Sequence, residues 1–468
     1  MKEKMLSGKN YLKLGPAQLF VLSFLSISFL GSLLLMLPGV TNEGISYVDA
    51  LFTATSAVCV TGLNVVDTEF TFTILGQVIV LSLIQIGGLG IMTFTTYFSY
   101  FFKGGSSYKN QLLVKDITNE KNLDNVFSAL KSILIITFLI EGIGFLLIYA
   151  SLSKAGLDVG ERVFFSIFHS VSSFCNAGFS TLSGSLYDIR IRFNYPVHLI
   201  MSFLIILGGL GFPIIFNIWK LISTNASNLY RRVFKHEKYA FVKFDISVNT
   251  HLVIRTTTLL LLLGTFSFYF FEKDGVLTEY STGLGKWTAA FFGSVTSRTA
   301  GFNSTDTAVL SIPTSLMLIS LMWIGASPAS TGGGIKTTTF AIAVMNFFSL
   351  IRGKKSVEFK GREISQNSVS KAFAQITLAI IFIMVITFIM ILIENNKEPM
   401  DLLFETVSAY STVGLSRNVT AFLSDSGKLV ITLTMLVGRV SLFTMLTALT
   451  KRVNLSLYRY PSEELLIN

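Results

Sequence analysis

Charged residues, cysteine and histidine are scarce in this sequence. Of its 468 residues, 14% are Asp, Glu, Lys or Arg, two are cysteine and four are histidine. Cys59 and Cys175 lie in apolar surroundings without a CxxC partner, so neither a disulfide framework nor a zinc site is supported. The chain is instead 51% hydrophobic, with a mean hydropathy of +0.63. These values are typical of an integral membrane protein.

Apolar windows of about 20 residues, the length that crosses a hydrocarbon core of about 30 Å, recur from residue 17 to residue 448. The first window, residues 17–37, is long for the core of a signal peptide and runs into Pro38 without a small-residue cleavage pattern. It is predicted to be a transmembrane helix. The sequence therefore predicts a polytopic helical bundle in a lipid bilayer.

The net charge of +10 arises mainly outside the apolar windows. Most lysines and arginines fall in the N-terminus, in three linkers and in the C-terminal tail, which an even number of crossings places on one side of the membrane. The positive-inside rule then predicts that both termini are cytoplasmic. Because this distribution accounts for much of the charge, no nucleic-acid partner is predicted.

One sequence unit recurs four times. Its clearest mark is a string that starts at Phe, passes through Ser, Thr and small residues, and reaches Gly ten positions later. The strings are FTATSAVCVTGL (52–63), FHSVSSFCNAGF (168–179), FFGSVTSRTAGF (291–302) and FETVSAYSTVGL (404–415). Their glycines, Gly62, Gly178, Gly301 and Gly414, are 116, 123 and 113 residues apart, which indicates fourfold internal duplication.

Each string stands at the end of a short apolar segment, which lies between two long apolar segments. The short segment holds roughly 11 residues, too few to cross a bilayer. The predicted fold is therefore all-α, with four tandem repeats of helix, re-entrant pore loop and helix. Its eight transmembrane helices surround one central pore, and an intramembrane loop breaks the second helix of the third repeat. The predicted segments are the N-terminus (1–16), repeats 1 to 4 (17–102, 126–222, 250–351 with the loop 325–339, and 369–450), three cytoplasmic linkers (103–125, 223–249 and 352–368) and the tail (451–468).

The four loops are predicted to line a cation pathway. Small residues let the backbone approach closely, and glycine permits the unusual dihedrals that turn carbonyls inward. Rings of carbonyls can replace the hydration shell of a monovalent cation, whereas no loop carries the Asp or Glu expected of a divalent-selective pore. K⁺ at the filter carbonyls is therefore the predicted ion, and no organic cofactor is predicted. The filter positions are Val60, Thr61, Gly62, Asn176, Ala177, Gly178, Thr299, Ala300, Gly301, Thr412, Val413 and Gly414.

The polar run ASPASTGGGIKTTT (326–339) interrupts an apolar span. Proline and three consecutive glycines do not support a regular helix, and irregular backbone at membrane depth faces a cavity or protein. We predict a gate across the ion path, and an interruption that serves only packing is the alternative. Arg439, in the last span, is predicted either as a fixed charge below the filter or as a partner of Glu or of helix-end carbonyls. The gate residues are Gly325, Ser327, Pro328, Ser330, Thr331, Gly332, Gly333, Gly334, Lys336 and Arg439.

The four divergent pore loops and the run ASPASTGGGIKTTT resemble the Ktr, Trk and HKT superfamily of potassium transporters over nearly the whole chain. The stretches LFTATSAVCVTGLNVVDT (51–68) and IQIGGLGIMT (84–93) are most similar to the KtrB-type membrane subunits of bacterial Ktr systems. The resemblance implies K⁺ uptake, often stimulated by Na⁺, through the bacterial cytoplasmic membrane. It also implies a homodimer with one pore per subunit and a cytosolic nucleotide-binding ring of the RCK type.

Two stretches depart from the family pattern. The third loop is one residue tighter before Gly301 and carries Arg298, and GRVSLF (438–443) replaces the usual Gly-Arg-Leu-Gly-Pro. Gly62 is intact, which supports K⁺, because a serine there in plant relatives resembles a switch toward Na⁺. The remaining polar residues are expected to be structural. Arg298 would brace its loop through backbone carbonyls, Asp49 and Asp401 would suit helix starts, and His169 and Glu405 would make polar contacts behind the filter.

Other functions are weighed against this prediction. An ATPase is disfavoured, because a Walker A motif needs Gly-Lys-Ser/Thr and Ile335 separates the glycines from Lys336. A Na⁺- or H⁺-coupled secondary transporter with alternating access stays open, although repeats of one orientation differ from the inverted repeats of many such transporters. A Na⁺-permeable cation channel stays open as well.

Overall fold

The computed structural model describes residues 16–90, 126–153, 156–219, 225, 228 and 247–449. In this part of the chain almost all regular structure is helical. The order long helix, short helix, second helix occurs four times. The N-terminus, the linker 103–125, most of the linker 223–249 and the tail lie outside the described residues, so the predicted cytoplasmic termini stay a prediction.

The short helix of each repeat begins at a residue that caps helices well. The side chains of Ser46, Asp158 and Thr282 accept hydrogen bonds from backbone N–H groups in the first turn, and Pro399 stands at the first position of the fourth short helix. In chain order, repeats 1 and 2 contain α1 (Pro16–Leu35), α2 (Tyr47–Val58), α3 (Thr68–Thr71), α4 (Ile74–Gly88), α5 (Val126–Ser151), α6 (Val159–Cys175), a 3₁₀ turn (Ser185–Tyr187), α7 (Tyr195–Leu210) and α8 (Phe212–Trp219).

Repeats 3 and 4 are joined by a two-stranded antiparallel hairpin, which the sequence did not predict. Its strands pair Glu358 with Glu363. The elements are α9 (Val248–Glu272), a 3₁₀ turn (Val276–Glu279), α10 (Gly283–Thr296), α11 (Ile312–Trp323), α12 (Thr337–Ile351), β1 (Val357–Phe359), β2 (Arg362–Ile364), α13 (Gln366–Ile393), α14 (Pro399–Tyr410), a 3₁₀ turn (Thr420–Phe422), α15 (Asp425–Val440) and α16 (Leu442–Leu449).

Chain breaks in the second helices are more numerous than the sequence predicts. We expected one broken helix, in repeat 3, but α7 and α8 are bent by 106° at Gly211, and α15 ends before Ser441. Gly211 has a φ of 91° and Ser441 a φ of 73°, and a right-handed helix cannot continue through a positive φ. The predicted loop 325–339 is also shorter in the structure. The 324–336 segment joins α11 to α12, and Thr337 already belongs to α12.

Replacing Ser441 with glycine should stabilise the protein. The φ of 73° and ψ of 126° at this serine are unfavourable for a residue with a Cβ, and such strain costs about 1–3 kcal/mol. Glycine relieves this strain, but its larger conformational entropy in the unfolded chain offsets part of the gain. We expect the thermal midpoint of the detergent-purified Ser441→Gly variant to rise. Ser370→Gly, the same change on an exposed position inside α13, should lower it. A decrease for both variants would contradict the strain at Ser441.

Three described helices have the length and composition to cross a membrane: Lys131–Ser151, Val248–Glu272 and Gln366–Ile393. The bent pair α7 and α8 adds a fourth if it counts as one span. Four apolar helices are shorter, namely Val21–Leu35, Ile74–Gly88, Ile312–Trp323 and Thr337–Ile351. The chain is thus a helical, polytopic membrane protein, and the full number of eight crossings stays a prediction.

The buried core connects the repeats to one another. One cluster joins Phe52 and Val80 of repeat 1 to Met390 and Ile431 of repeat 4. Other clusters join repeat 3 to repeat 4 and repeat 2 to repeat 3. Large apolar side chains such as Met384 are exposed on the long helices, as a lipid-facing surface requires. The first and last repeats therefore meet, and the bundle closes on itself.

Candidate functional site

The four short helices end in loops that meet at the centre of the bundle. One phenylalanine of each short helix, about two helical turns before the loop, is fully buried and fixes the depth of that helix. These residues are Phe52, Phe168, Phe292 and Phe404. In the third repeat this residue is Phe292 and not Phe291. The third loop is therefore one residue shorter, as its sequence indicates.

The loop backbone alternates in the sign of φ. In each loop the glycine and the residue two positions before it have a positive φ, and the residue between them does not. Such alternation turns successive peptide groups to the same side, whereas in an extended strand they point to alternate sides. The positive values are 55° and 90° at Val60 and Gly62, 60° and 72° at Asn176 and Gly178, 69° and 78° at Thr299 and Gly301, and 50° and 93° at Thr412 and Gly414.

The four glycines form a closed ring, which we call the glycine ring. A Cβ placed on each glycine would meet the carbonyl oxygen that precedes the glycine of the next repeat. A Cβ on Gly62 would lie 2.4 Å from Ala177 O, and one on Gly178 would lie 2.7 Å from Ala300 O. The order continues from Gly301 to Val413 O at 2.3 Å and closes from Gly414 to Thr61 O at 2.1 Å. Only glycine fits at these four positions, and the four carbonyls lie at the contacts between loops.

Hydroxyl groups of the short helices hold the loops in this shape. In repeats 1 and 4 the glycine N–H donates to a serine Oγ six residues earlier, with Gly62 to Ser56 and Gly414 to Ser408 both at 3.1 Å. In repeats 2 and 3 the hydroxyl instead donates to the carbonyl after the glycine, over 2.8 Å. Those donors are Ser172 and Thr296. The sequence strings contained these residues, but their role depends on loop geometry and was not predicted.

A wide cavity of about 520 Å³ adjoins the glycine ring. Most of its lining residues come shortly after the four glycines in the sequence. It touches all four glycines. Asn64, Ser180, Asn303 and Ser416, each two residues after a glycine, line its inner part. Asp67 and Asp306, both five residues after a glycine, add carboxylates, and no lysine or arginine is among its described lining residues. The cavity therefore presents a negative, oxygen-rich entrance to the ring.

Basic side chains bridge neighbouring repeats around this entrance. Arg190 pairs with Glu69 at 2.9 Å, and Arg192 pairs with Glu279. Arg417 pairs with Asp401 of its own repeat at 2.7 Å and donates to Ser315 Oγ and Leu310 O of repeat 3. Lys428 of repeat 4 pairs with Asp49 of repeat 1 at 2.6 Å. Each junction between consecutive repeats is thus bridged by a cation that is not among the described residues lining the cavity.

Ionisable groups at this face have shifted pKa values. The hydrogen bond from Arg190 lowers the pKa of Asp188, which keeps that carboxylate charged beside its partner. Burial raises the pKa of Tyr280 to about 12, and its hydroxyl donates to Ser304 O at 2.6 Å. These bonds hold the segments that follow the loops of repeats 2 and 3.

Loss of the Lys428–Asp49 pair should weaken the junction between the last and the first repeat. The two side chains are 12% and 18% exposed, so Lys428→Met leaves a largely buried carboxylate without its cation, at a cost of about 1–3 kcal/mol. We expect a lower thermal midpoint for Lys428→Met and for Asp49→Asn, with a double variant less damaged than the sum. Lys273→Met, at a side chain that is 57% exposed, should change little. Strictly additive losses would show that the pair is not coupled.

The 324–336 segment covers the opposite side of the glycine ring. A Cβ on Gly332 would lie 2.1 Å from Thr299 Oγ1, and one on Gly333 would lie 2.2 Å from Thr412 Oγ1. The segment is also tied to repeat 2, since Ser327 N donates to Gly209 O at 3.0 Å. Its glycines therefore contact the inner ends of two loops directly. Of the other predicted gate residues, Pro328 and Ser330 lie at the turn of the segment, where the Ser330 hydroxyl donates to Ser327 O.

Three cations surround this segment and donate to backbone carbonyls. Arg298 donates to Gly325 O at 2.9 Å, so it braces the 324–336 segment. The prediction that it braces its own loop is wrong in this respect, because its backbone partner lies on the segment. Lys336 donates to Gly332 O at 2.7 Å. Arg439 donates to Thr331 O and, at 2.6 Å, to Gly87 O near the end of α4. Arg439 therefore contacts a helix-end carbonyl, as one of its two predicted roles requires. Its contact with Thr331 O also places its charge beside the 324–336 segment.

Other polar residues behind the loops are bonded locally. His169 bonds to Phe165 O and Ser180 Oγ, both at 2.9 Å, and Glu405 accepts from Thr420 Oγ1. A further buried cluster was not predicted. Glu141 accepts from the Gln85 amide at 3.1 and 3.2 Å, and Cys175 lies within 4 Å of both groups. Its members come from three helices, so no local pattern reveals it.

Comparisons with known proteins agree on one family. The family TrkH, described as a cation transport protein, matches residues 16–455. The chain is 37% identical to Ktr system potassium uptake protein B of Vibrio alginolyticus, over 97% of this chain and 95% of that protein. It is 35% identical to the potassium/sodium uptake protein NtpJ of Enterococcus hirae, over 97% and 98%. It is 33% identical to Ktr system potassium uptake protein B of Bacillus subtilis, over 97% of each.

A solved structure has the same fold. The potassium transporter TrkH from Vibrio parahaemolyticus superimposes with a TM-score of 0.70 over 94% of this chain and 86% of that chain. Sequence identity in this comparison is 19%, so the match speaks for the fold alone.

Proposed function

Because the chain belongs to the TrkH family of cation transport proteins, we propose that it takes up K⁺ across the bacterial cytoplasmic membrane through the glycine ring. The resemblance to Ktr and Trk transporters noted in the sequence is confirmed by these matches. The family consists of transporters and not enzymes. Two relatives of this chain are named as potassium uptake proteins, and one as a potassium/sodium uptake protein.

One observation carries the proposal: four loops of alternating φ close into a ring that only glycine can form. Backbone carbonyls arranged this way can replace the hydration shell of a monovalent cation, and they place no fixed charge in the path. The loops carry no Asp or Glu, which fits a monovalent ion. The twelve filter residues predicted from the sequence are the residues of these loops, and their role as ion ligands is part of the proposal.

The surroundings of the ring favour cations. The four short helices end at the loops, so the negative ends of their dipoles face the ring. The wide cavity adds Asp67 and Asp306 at the entrance. In the proposed arrangement this cavity is the outer vestibule, and each repeat contributes two crossings and one re-entrant loop, which gives eight transmembrane helices around one pore.

The 324–336 segment is the proposed gate. Gly332 and Gly333 contact Thr299 and Thr412 so closely that a K⁺ ion leaving the ring on this side has no straight path. The segment must therefore move during transport. Lys336 and Arg439 lie on it or beside it, and their charges oppose a cation until they are displaced or neutralised.

The remaining parts of the proposal follow the family. The protein forms a homodimer with one pore per subunit, its termini face the cytoplasm, and a cytosolic nucleotide-binding ring of the RCK type regulates it. Na⁺ stimulates uptake. A second candidate, a cation pathway that also admits Na⁺, is favoured by the name of the relative NtpJ, a potassium/sodium uptake protein.

Growth of a bacterial strain that lacks K⁺ uptake tests the proposal. Expression of this chain should restore growth at low external K⁺, and co-expression of a nucleotide-binding regulatory subunit should increase the rescue. An empty vector serves as control, and membrane content should be verified by immunoblot. Failure to restore growth with and without such subunits, at normal membrane content, would argue against K⁺ uptake.

A further inference from the structure

A small cavity lies between the 324–336 segment and helices α13 to α16. Its volume is about 180 Å³. Its polar lining comes from backbone groups and six side chains, and no Asp or Glu is among the described residues that line it. The six are Lys336, Gln375, Tyr410, Arg439, Ser441 and Thr444. The cavity therefore combines two positive charges with neutral groups that can donate hydrogen bonds.

Among the described residues the two cations have no acidic partner. Lys336 donates to Gly332 O, and Arg439 donates to Thr331 O and Gly87 O. In the described part of the chain, no carboxylate lies within ion-pair distance of either group. The buried carboxyl groups of Glu141 and Glu405 are bonded elsewhere, to Gln85 and to Thr420. Two half-buried charges of one sign in the same cavity are costly unless a counter-charge joins them.

Two further features add positive character or donors at the same place. Lys336 is the residue before the 15-residue helix α12, so the positive end of that helix dipole lies beside the cavity, although the Thr337 N–H already donates to Ala326 O at 3.2 Å. The Oε1 atom of Gln375 accepts from Thr339 Oγ1 at 3.2 Å, which leaves its NH₂ group as the one that can bind an acceptor. Helix N-termini and clustered donors are the usual components of anion sites.

We propose that the small cavity binds a small inorganic monovalent anion, such as chloride, between Lys336 and Arg439. The volume admits such an ion with a few water molecules but not a nucleotide. Because the cavity adjoins the 324–336 segment, a bound anion would offset positive charge where K⁺ has to pass. This consequence rests on the proposed function, whereas the binding itself does not.

Binding of radiolabelled chloride to the purified full-length protein tests the site without transport. In gluconate buffer we expect saturable binding of about one ion per chain, displaced by bromide. Lys336→Gln and Arg439→Gln should each weaken it about tenfold or more, since about 1.4 kcal/mol corresponds to a factor of ten. Lys336→Arg and Arg439→Lys keep the positive charge and should retain chloride binding. A loss of binding confined to the glutamine variants would therefore come from the lost charge and not from misfolding. Lys355→Gln, at an exposed lysine of the hairpin connection, should behave as wild type.

Three results decide the inference. No saturable chloride binding, or equal binding in the Lys336→Gln/Arg439→Gln double variant, would overturn the site. If the site exists, replacing chloride with gluconate on both sides of proteoliposomes should lower ⁸⁶Rb⁺ uptake several-fold in wild type, and unchanged uptake would overturn its effect on the gate. Chloride binding in a protein that carries no K⁺ or Rb⁺ under any anion would support the site and reject the proposed function.

Discussion

Gly62→Ser should reduce the preference of this protein for K⁺ over Na⁺ by about tenfold or more, equivalent to about 1.4 kcal/mol. A side chain at this position would place its Cβ 2.4 Å from Ala177 O, and the φ of 90° is itself unfavourable for serine. The carbonyl of the neighbouring loop must shift, so the ring no longer holds the spacing that suits a dehydrated K⁺ ion. Gly414→Ser, with a Cβ 2.1 Å from Thr61 O, should have the same effect.

The matched control for this prediction is Gly44→Ser. Gly44 has a φ of 88°, almost that of Gly62, but no atom lies within 4 Å of an added Cβ. It therefore bears the same backbone strain without a contact in the ring. The ratio of ⁸⁶Rb⁺ uptake to ²²Na⁺ uptake into proteoliposomes measures this preference, with Rb⁺ as the tracer for K⁺. An unchanged ratio in Gly62→Ser, or an equal loss in Gly44→Ser, would mean that ring geometry does not determine selectivity.

Deletion of Gly332 to Gly334 should raise K⁺ flux several-fold and weaken its dependence on a cytosolic regulator. Gly332 and Gly333 contact Thr299 and Thr412, and no larger residue fits against those hydroxyls. Gly334 follows them with a positive φ and lies against Ser411. A segment without them cannot cover the inner side of the ring. Gly333→Ala is a milder version, because its Cβ would lie 2.2 Å from Thr412 Oγ1 and push the segment away.

Gly142→Ala controls for the loss of a glycine as such. Gly142 lies inside helix α5 and no atom is within 4 Å of an added Cβ, so flux should stay at the wild-type level. Uptake should be compared in proteoliposomes with and without the regulatory subunit. If the deletion leaves both the rate and the response to the regulator unchanged, the segment serves packing and is not the gate.

The sequence was sufficient to predict the parts of the fold that depend on length and local chemistry. Apolar windows indicated the long helices, and the spacing from phenylalanine to glycine located the four short helices and their loops. The tighter third loop was also visible. There Thr296 takes the place of Ser56, Ser172 and Ser408, one residue closer to its glycine.

Features that depend on contacts between distant residues were not predictable. Serine rarely adopts a positive φ, so nothing in the local sequence at Ser441 predicts the end of α15. The three glycines at 332–334, by contrast, predicted the irregular 324–336 segment. Lys428 and Asp49 are 379 residues apart and meet only because the bundle closes. The same holds for Glu141 and Gln85, which are 56 residues apart, and for Arg298, whose partner Gly325 lies on another element. The proposed homodimer and regulatory ring rest on the family resemblance alone, because neither can be predicted from composition or hydrophobic periodicity.

The central claim is that the glycine ring selects K⁺, and the relative permeability of the wild-type protein to K⁺, Rb⁺ and Na⁺ tests it most directly. The measurement is the uptake of each ion into proteoliposomes under identical gradients. We predict that K⁺ and Rb⁺ enter at comparable rates and Na⁺ about tenfold or more slowly, a difference of about 1.4 kcal/mol at the barrier. Equal entry of all three ions would contradict the account.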